Sequence, residues 1–238
     1  MLSVKILVFT PVYRLERETA NWLLMLHGNT KHDTDIVLSY IEDRNQNEFQ
    51  RVCAQYQKAR RMALDGGYDA LLTVESDIIP PPDALNRLAS DLTHYDIMLG
   101  VYAFRRGKSQ EHLCDAAWNG KGYLGDFISA VDPRESHKRI LSGGTYRASG
   151  LGLGCTLIKS SVLEMIDFRI LDIHHCDIPF FVDSIKQGCI IGVCYSVLCG
   201  HKTPQGQILW PLEQIEKRHE IAERLYWGRD ARKIYGRY

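Results

Sequence analysis

Two acidic residues separated by one position, in Glu75-Ser76-Asp77, follow a short apolar run. On an extended chain alternate side chains point to the same side, so these two carboxylates come close together. Two unit charges about 4 Å apart repel by roughly 4 kcal/mol at an effective dielectric of about 20, so a positive partner should offset them. A hard divalent cation with oxygen ligands supplies that charge and can also hold a diphosphate. The spacing therefore suggests a metal site.

A purely structural role fits the same acids. Acidic residues that follow a strand are common helix caps, and Asp83, after the three prolines 80–82, is placed to begin the next helix. The spacing alone leaves both interpretations open.

The element that must position Glu75 and Asp77 is a buried strand over residues 70–74. This run is rich in strand formers, follows the glycine pair Gly66-Gly67 and is closed by the prolines. In an open α/β sheet, ligands bind at the carboxyl ends of the strands, which is where the two acids lie.

The preceding elements alternate between strand and helix. The patterns predict strands over 5–10 and 36–41, and helices over 18–26 and 47–64, the second ending at Gly66. This order predicts a parallel sheet with right-handed crossovers. A helix to residue 92 and a strand over 97–102 follow, whereas 103–149 is irregular and is interpreted as a loop region over the site, with a hairpin around 120–129.

The later part of the chain predicts a strand over 155–159, a helix over 177–188 and a strand over 190–193. Between the first two, Ser161-Val162-Leu163-Glu164 has the spacing of a capping box and is predicted to open a short helix. The glycine-rich run 150–154 is a poor dinucleotide-binding fingerprint, because a strand rather than a helix follows it. These glycines are better explained by close approach of the backbone to a ligand or a neighbouring strand.

Composition limits the classes of function. The chain has 238 residues, of which 45% are hydrophobic, enough to bury the core of one α/β domain. Lys plus Arg and Asp plus Glu both number 29, which disfavours a globally basic nucleic-acid binder. The seven cysteines form no C-x-x-C pair and are expected to be reduced core residues. Without a signal-like amino terminus or a bilayer-spanning apolar run, we expect a soluble, cytoplasmic protein.

With these motifs in place, residues 5–202 resemble a glycosyltransferase of the GT-A fold, of the family 2 type. Thr10-Pro11-Val12-Tyr13 is similar to the family's first nucleotide-binding loop, and Glu75-Ser76-Asp77 takes the place of its D-x-D motif. The segment from Asp177 to Gly188 is similar to the acidic helix start that supplies the catalytic base. His201 falls where some members place a late metal-binding histidine.

The resemblance implies specific roles for these residues. Asp177 is the general base, and Mn²⁺ or Mg²⁺ is the cofactor, with Glu75, Asp77 and His201 as metal ligands. Binding of the nucleotide-diphosphate sugar falls to Thr10, Pro11, Tyr13, Asp43, Arg60, Glu75 and Ser76. Two departures from the family pattern are Glu75 in place of the first Asp of the motif, and Cys176 where a second acid often precedes the base.

Our hypothesis is an inverting transfer of a sugar, hexose or pentose, to a hydroxyl acceptor on a glycan, a protein or a modified nucleic-acid base. The expected catalytic domain is 1–205, with a nucleotide-binding half to about residue 102 and an acceptor-side half from 103, followed by a helix and basic aromatic tail over 206–238. One alternative is a sugar nucleotidyltransferase, although the first loop lacks the glycines of such enzymes. The other is a non-catalytic module that binds nucleotides or carbohydrates.

Overall fold

The structure, a computed structural model, describes residues 3–13, 15–40, 47–106, 110–117, 129–131, 133–150, 152–171 and 175–211. Its helices are α1 (Arg17–Asn29), α2 (Glu48–Asp65), α3 (Ala84–Ser90), α4 (Pro133–Ser142), α5 (Ser160–Met165) and α6 (Asp177–Lys186). Its strands are β1 (Lys5–Val12), β2 (Asp33–Tyr40), β3 (Ala70–Val74), β4 (Ile78–Ile79), β5 (Ile97–Arg106), β6 (Gln110–Leu113), β7 (Ala116–Ala117), β8 (Ser129–Ala130), β9 (Thr145–Arg147), β10 (Cys155–Lys159), β11 (Ile191–Lys202) and β12 (Ile208–Leu209).

The central sheet has the order β12-β11-β5-β10-β3-β1-β2. Strand β1 is parallel to β2 and β3, and β11 is parallel to β5, whereas β10 is antiparallel to both of its neighbours. The predicted α/β class, a mostly parallel sheet flanked by helices, is therefore confirmed. Strand β10 is reversed because the chain leaves β5 at the carboxyl edge of the sheet and re-enters from that same edge.

Both faces of the sheet are buried, as the continuous apolar strands predicted. Along β1, Ile6 and Val8 join one core cluster with Trp22 of α1, while Leu7 and Phe9 join a second cluster on the other face. Within the described ranges, no helix combines the length and the apolar character that crossing a bilayer requires. A cytoplasmic location stays a prediction.

Most elements from the first half of the chain lie where the patterns placed them. Strand β3 spans the predicted residues, and α2 begins with a capping box in which Asn47 and Gln50 bond each other's backbone, then ends at Gly66. The predicted helix over 161–164 begins one residue earlier, at Ser160, and its cap position, Lys159, makes no side-chain capping bond. The expected capping box is therefore wrong.

Residues 103–149 hold more regular structure than the loop region predicted for them. Strand β5 continues to Arg106 and pairs with β6, and α4 and β9 follow later in the segment. The polar sequence of α4 gave no sign of a helix, and among the side chains that the structure describes there, the buried ones are Ser136 and Ile140. The predicted hairpin around 120–129 lies largely outside the described residues, and β7 and β8, on either side of that gap, pair with each other.

Replacing Gly150 with alanine is expected to destabilise the fold far more than the same change at Gly188. Both glycines have positive φ, 79° and 81°, but a Cβ at Gly150 would overlap the ring of Phe181, whereas nothing lies within 4 Å of one at Gly188. Left-handed strain costs roughly 1–2 kcal/mol at either position, and overpacking adds about 1–3 kcal/mol at Gly150. Urea unfolding of both variants checks this, and equal losses would contradict it.

Candidate active site

The turn formed by residues 75–77 lies at the carboxyl edge of the sheet, between β3 and β4. Strand β4 pairs with the end of β11, in a register that places His201 opposite Ile78. This pairing brings His201 beside Asp77, with 3.5 Å between imidazole Nε2 and carboxylate Oδ2. Two of the three predicted metal ligands are therefore neighbours.

The imidazole of His201 is oriented by the backbone. Its Nδ1 lies 2.7 Å from the carbonyl oxygen of Ala103, and since a carbonyl only accepts, Nδ1 carries the proton. Burial lowers the pKa of His201, but Asp77 and the Ala103 carbonyl more than offset this, so the pKa is raised overall. Nε2 therefore either carries a second proton toward Asp77 or offers a lone pair to a cation shared with that carboxylate.

The Glu75 side chain is held by a buried tyrosine. Tyr56 of α2 donates a hydrogen bond of 2.8 Å from its hydroxyl to Glu75 Oε1. Burial raises the pKa of Glu75 to about 7, the charge of Asp77 adds to the rise, and the Tyr56 hydrogen bond opposes it. Glu75 therefore titrates near neutral pH, and a positive group beside it would favour its ionised form.

Asp177 is the first residue of α6 and belongs to the same cluster. Its charge contributes to the raised pKa of Glu75, after burial and Asp77, so the two carboxylates lie within electrostatic range of each other. Burial raises the pKa of Asp177 itself to about 6, although its Oδ1 accepts a hydrogen bond of 2.8 Å from the amide of Ile178. The N-cap position is Cys176, whose side chain makes no capping bond, and Asp177 bonds the next amide, so this carboxylate fits both a helix-terminal role and that of a base.

The residues predicted for nucleotide binding lie along β1 and the turn that follows β3. Thr10 and Pro11 are buried, because β1 continues two residues beyond its predicted end. The hydroxyl of Thr10 has no hydrogen-bond partner in the part of the chain that the structure describes. Tyr13 is 81% exposed, and Ser76 lies within the turn itself. Asp43 lies outside the described residues.

Arg60 connects helices rather than facing an open space. Its Nε donates to the carbonyls of Leu163 and Ile166, at 2.6 and 3.0 Å, and its guanidinium pairs with Asp167 at 3.1 Å. These contacts tie α2 to α5 and give Arg60 a structural role. Its contact with a nucleotide stays a prediction.

The described residues contain no group of three His, Cys, Asp or Glu side chains that could hold a metal ion. Asp77 and His201 supply a pair, whereas Glu75 is engaged by Tyr56. The donor types and the orientation of His201 fit a cation, but a complete protein ligand set is not assembled. Metal binding therefore remains a proposal.

Sequence reasoning missed two tyrosines of this cluster. The sequence pattern indicates only a position in the helix over 47–64 for Tyr56 and a position in the strand over 97–102 for Tyr102. The hydroxyl of Tyr102 accepts a hydrogen bond of 3.3 Å from the amide of Gly154, and a Cβ on Gly152 or Gly154 would overlap the Tyr102 side chain. The glycine run therefore lets a neighbouring strand approach closely, as expected, and its spacing was the only signal for this contact.

Comparisons with known proteins show the fold of this chain. No protein-family model and no curated protein matches it. The crystal structure of A197 from STIV aligns with a TM-score of 0.55 and 18% identity, covering 87% of this chain and 93% of A197. Structures of S. aureus TarS residues 1–349, alone and with UDP, align with a TM-score of 0.44 and 16% identity, covering 80% of this chain and 58% of TarS. The likeness to A197 supports a GT-A-like fold, and membership of family 2 is not shown.

Proposed function

We propose that this protein is a metal-dependent glycosyltransferase that moves a sugar from a nucleotide-diphosphate sugar to a hydroxyl acceptor with inversion. One observation carries the proposal. The Asp77–His201 pair and the Asp177 carboxylate, from three distant parts of the chain, lie within electrostatic range of Glu75 at the carboxyl edge of a GT-A-like sheet. Ligands bind at this edge in open α/β sheets.

Asp77 and His201 are the residues that would hold the cation. The Nδ1 proton of His201 is bonded to the Ala103 carbonyl, which leaves Nε2 directed at the Asp77 carboxylate. An imidazole ligand favours Mn²⁺ over Mg²⁺, which prefers oxygen and retained water. The cation would neutralise the charge that develops on the departing diphosphate. Glu75 contributes directly or through water, once its carboxylate is ionised.

Asp177 is the group that would take the acceptor proton. Its pKa of about 6 leaves it mostly ionised at pH 7 while keeping it a better base than an ordinary aspartate. The acceptor oxygen forms a bond to the anomeric carbon, the bond from that carbon to the diphosphate oxygen breaks, and the nucleoside diphosphate leaves with the electron pair. The acceptor proton passes to Asp177. Attack on the face opposite the leaving group inverts the anomeric configuration.

The donor would lie along the first half of the domain. Thr10, Pro11 and Tyr13 lie at the end of β1, and Ser76 lies in the turn after β3, the strand that pairs directly with β1, at the same edge of the sheet. Together with Asp43 and Arg60, these residues form the proposed donor side, within residues 1–102. Residues 103–205 form the acceptor side, and residues 206–238 an appendage to the domain.

A screen of the purified protein against a panel of nucleotide sugars, with and without Mn²⁺, tests the function. A donor at about 100 times its dissociation constant should add roughly 2.7 kcal/mol of stability, visible as a rise in melting temperature. We expect one donor to stabilise the protein only with Mn²⁺ and to be slowly hydrolysed. Absence of any shift with every nucleotide and metal would overturn the proposal, and a shift without hydrolysis would favour the non-catalytic binding module.

A further inference from the structure

The backbone of the turn 75–77 is held by two elements that are far apart in the sequence. The amide of Glu16, at the start of α1, donates to the carbonyl of Ser76 at 3.0 Å. The amide of Lys202, the last residue of β11, donates to the carbonyl of Asp77 at 2.9 Å. Consecutive carbonyls of the turn are therefore fixed from two sides.

The side chains of Glu16 and Lys202 also pair with each other beside the turn. Lys202 Nζ lies 2.9 Å from Glu16 Oε2 and 2.8 Å from Glu18 Oε2. The Lys202 and Glu16 side chains are only 16% and 13% exposed, so solvent screens this pair less than an ordinary surface ion pair. One ammonium group therefore links the beginning of α1 to the end of β11, across the turn that both elements bond.

We propose that Lys202 is a positioning residue that holds Asp77 and His201 in the arrangement required for the cation. The inference rests on the proposed function and extends it to a residue that touches neither substrate nor metal. Lys202 follows His201 directly in β11, and its amide bonds the Asp77 carbonyl, so any shift of Lys202 moves both residues of the pair.

Loss of the ammonium group has a defined electrostatic consequence. The Glu16 and Glu18 carboxylates would lose their shared partner and repel each other. The end of β11 would still be held, because His201 and Lys202 pair with Leu209 and Ile208 of β12. The variant is therefore expected to fold while the turn becomes free to open.

The test uses Lys202→Met, which keeps an unbranched side chain of similar length but removes its charge. It is compared with Lys202→Arg and with Lys159→Met. Lys159 is a matched control because its Nζ pairs with Asp96 at 2.9 Å and both side chains are 31% exposed. It lies at the opposite, amino edge of the same sheet, where it pairs with Ala70 at the start of β3. Two readouts are used: hydrogen exchange of the Glu16 amide and the amide of residue 202, and binding of Mn²⁺ alone followed by electron paramagnetic resonance.

We expect Lys202→Met to speed exchange of both amides about tenfold and to weaken Mn²⁺ binding 10–100-fold, the range typical of partners that orient metal ligands. Lys202→Arg should restore most of both properties, and Lys159→Met should change neither. If wild type binds Mn²⁺ and Lys202→Met matches it in affinity and exchange, the inference is overturned while the proposed function stands. If wild type binds no Mn²⁺, the metal dependence itself fails, and the role of Lys202 fails with it.

Discussion

The Asp77→Asn variant is expected to lose metal-dependent turnover by at least about 10²–10³-fold while keeping its fold. The change replaces the carboxylate that faces His201 Nε2 with a neutral amide, so the site loses the charge that would hold the cation. The Asp77 side chain is 42% exposed and its ion pair is correspondingly weak, so the cost in stability should stay below about 1 kcal/mol. Donor hydrolysis with saturating Mn²⁺ measures the first effect, and thermal unfolding the second.

Asp83→Asn is the matched control for this prediction. Asp83 lies six residues further along the same segment, is 46% exposed, and pairs with Arg87 at 2.6 Å on the surface of α3. Its loss should leave turnover within about twofold of wild type, because a surface pair of this kind contributes little. Full activity in Asp77→Asn would contradict the assignment of Asp77 as a metal ligand. Loss of activity in both variants would indicate damage to the fold rather than to the chemistry.

The location of this turn could be read from the sequence because its determinants are local. The apolar run 70–74, the glycines before it and the prolines after it fix a strand and its end, and both appear as predicted. Helix α2 could be predicted equally well, since its capping residue, its apolar stripe and the glycine that ends it all lie within or next to the helix. Such signals depend only on neighbours along the chain, so they can be recognised without knowledge of the fold.

The partners of the turn could not be derived in this way, because they depend on contacts between distant residues. Only resemblance suggested His201, and its place beside Asp77 results from the pairing of β4 with the extension of β11. The sequence predicted that strand over 190–193 alone, because a bulge between Cys194 and Leu198 interrupts its pattern. The hydrogen bond from Tyr56 to Glu75 likewise had no sequence signal beyond a buried helical position.

The segment 103–149 escaped prediction because a buried polar network organises part of it. Asp115, only 1% exposed, accepts hydrogen bonds from Ser136 of α4, at 2.9 Å, and from Tyr195 of β11. Burial raises the pKa of Asp115, and these two hydrogen bonds oppose the rise. An isolated acid in a polar stretch indicates a solvated loop, so neither the burial of Asp115 nor the helix that it anchors could be inferred from residue types.

The Asp177→Asn variant should lose sugar transfer by about 10²–10⁴-fold, the usual contribution of a positioned general base. Asparagine keeps an oxygen that can accept the Ile178 amide, so the local hydrogen bond survives while the basic group is lost. Single-turnover transfer measures the effect. Asp183→Asn, on the same helix, removes an ion pair with Arg169 and should leave the rate of transfer unchanged. Similar losses in both variants would indicate damage to α6 instead.

The same Asp177→Asn change is expected to stabilise the protein at high pH, which separates a catalytic carboxylate from a helix-terminal one. With a folded pKa of about 6 against an ordinary 3.8, the unfolded chain releases the Asp177 proton first, so stability falls as pH rises from about 4 to about 6 and stays lowered above. Asparagine cannot ionise, so the variant should gain about 3 kcal/mol at pH 8 and less than about 1 kcal/mol at pH 4. A carboxylate that served the helix terminus would give the opposite sign at pH 8. Urea unfolding at the two pH values, beside the transfer assay, therefore decides between the roles.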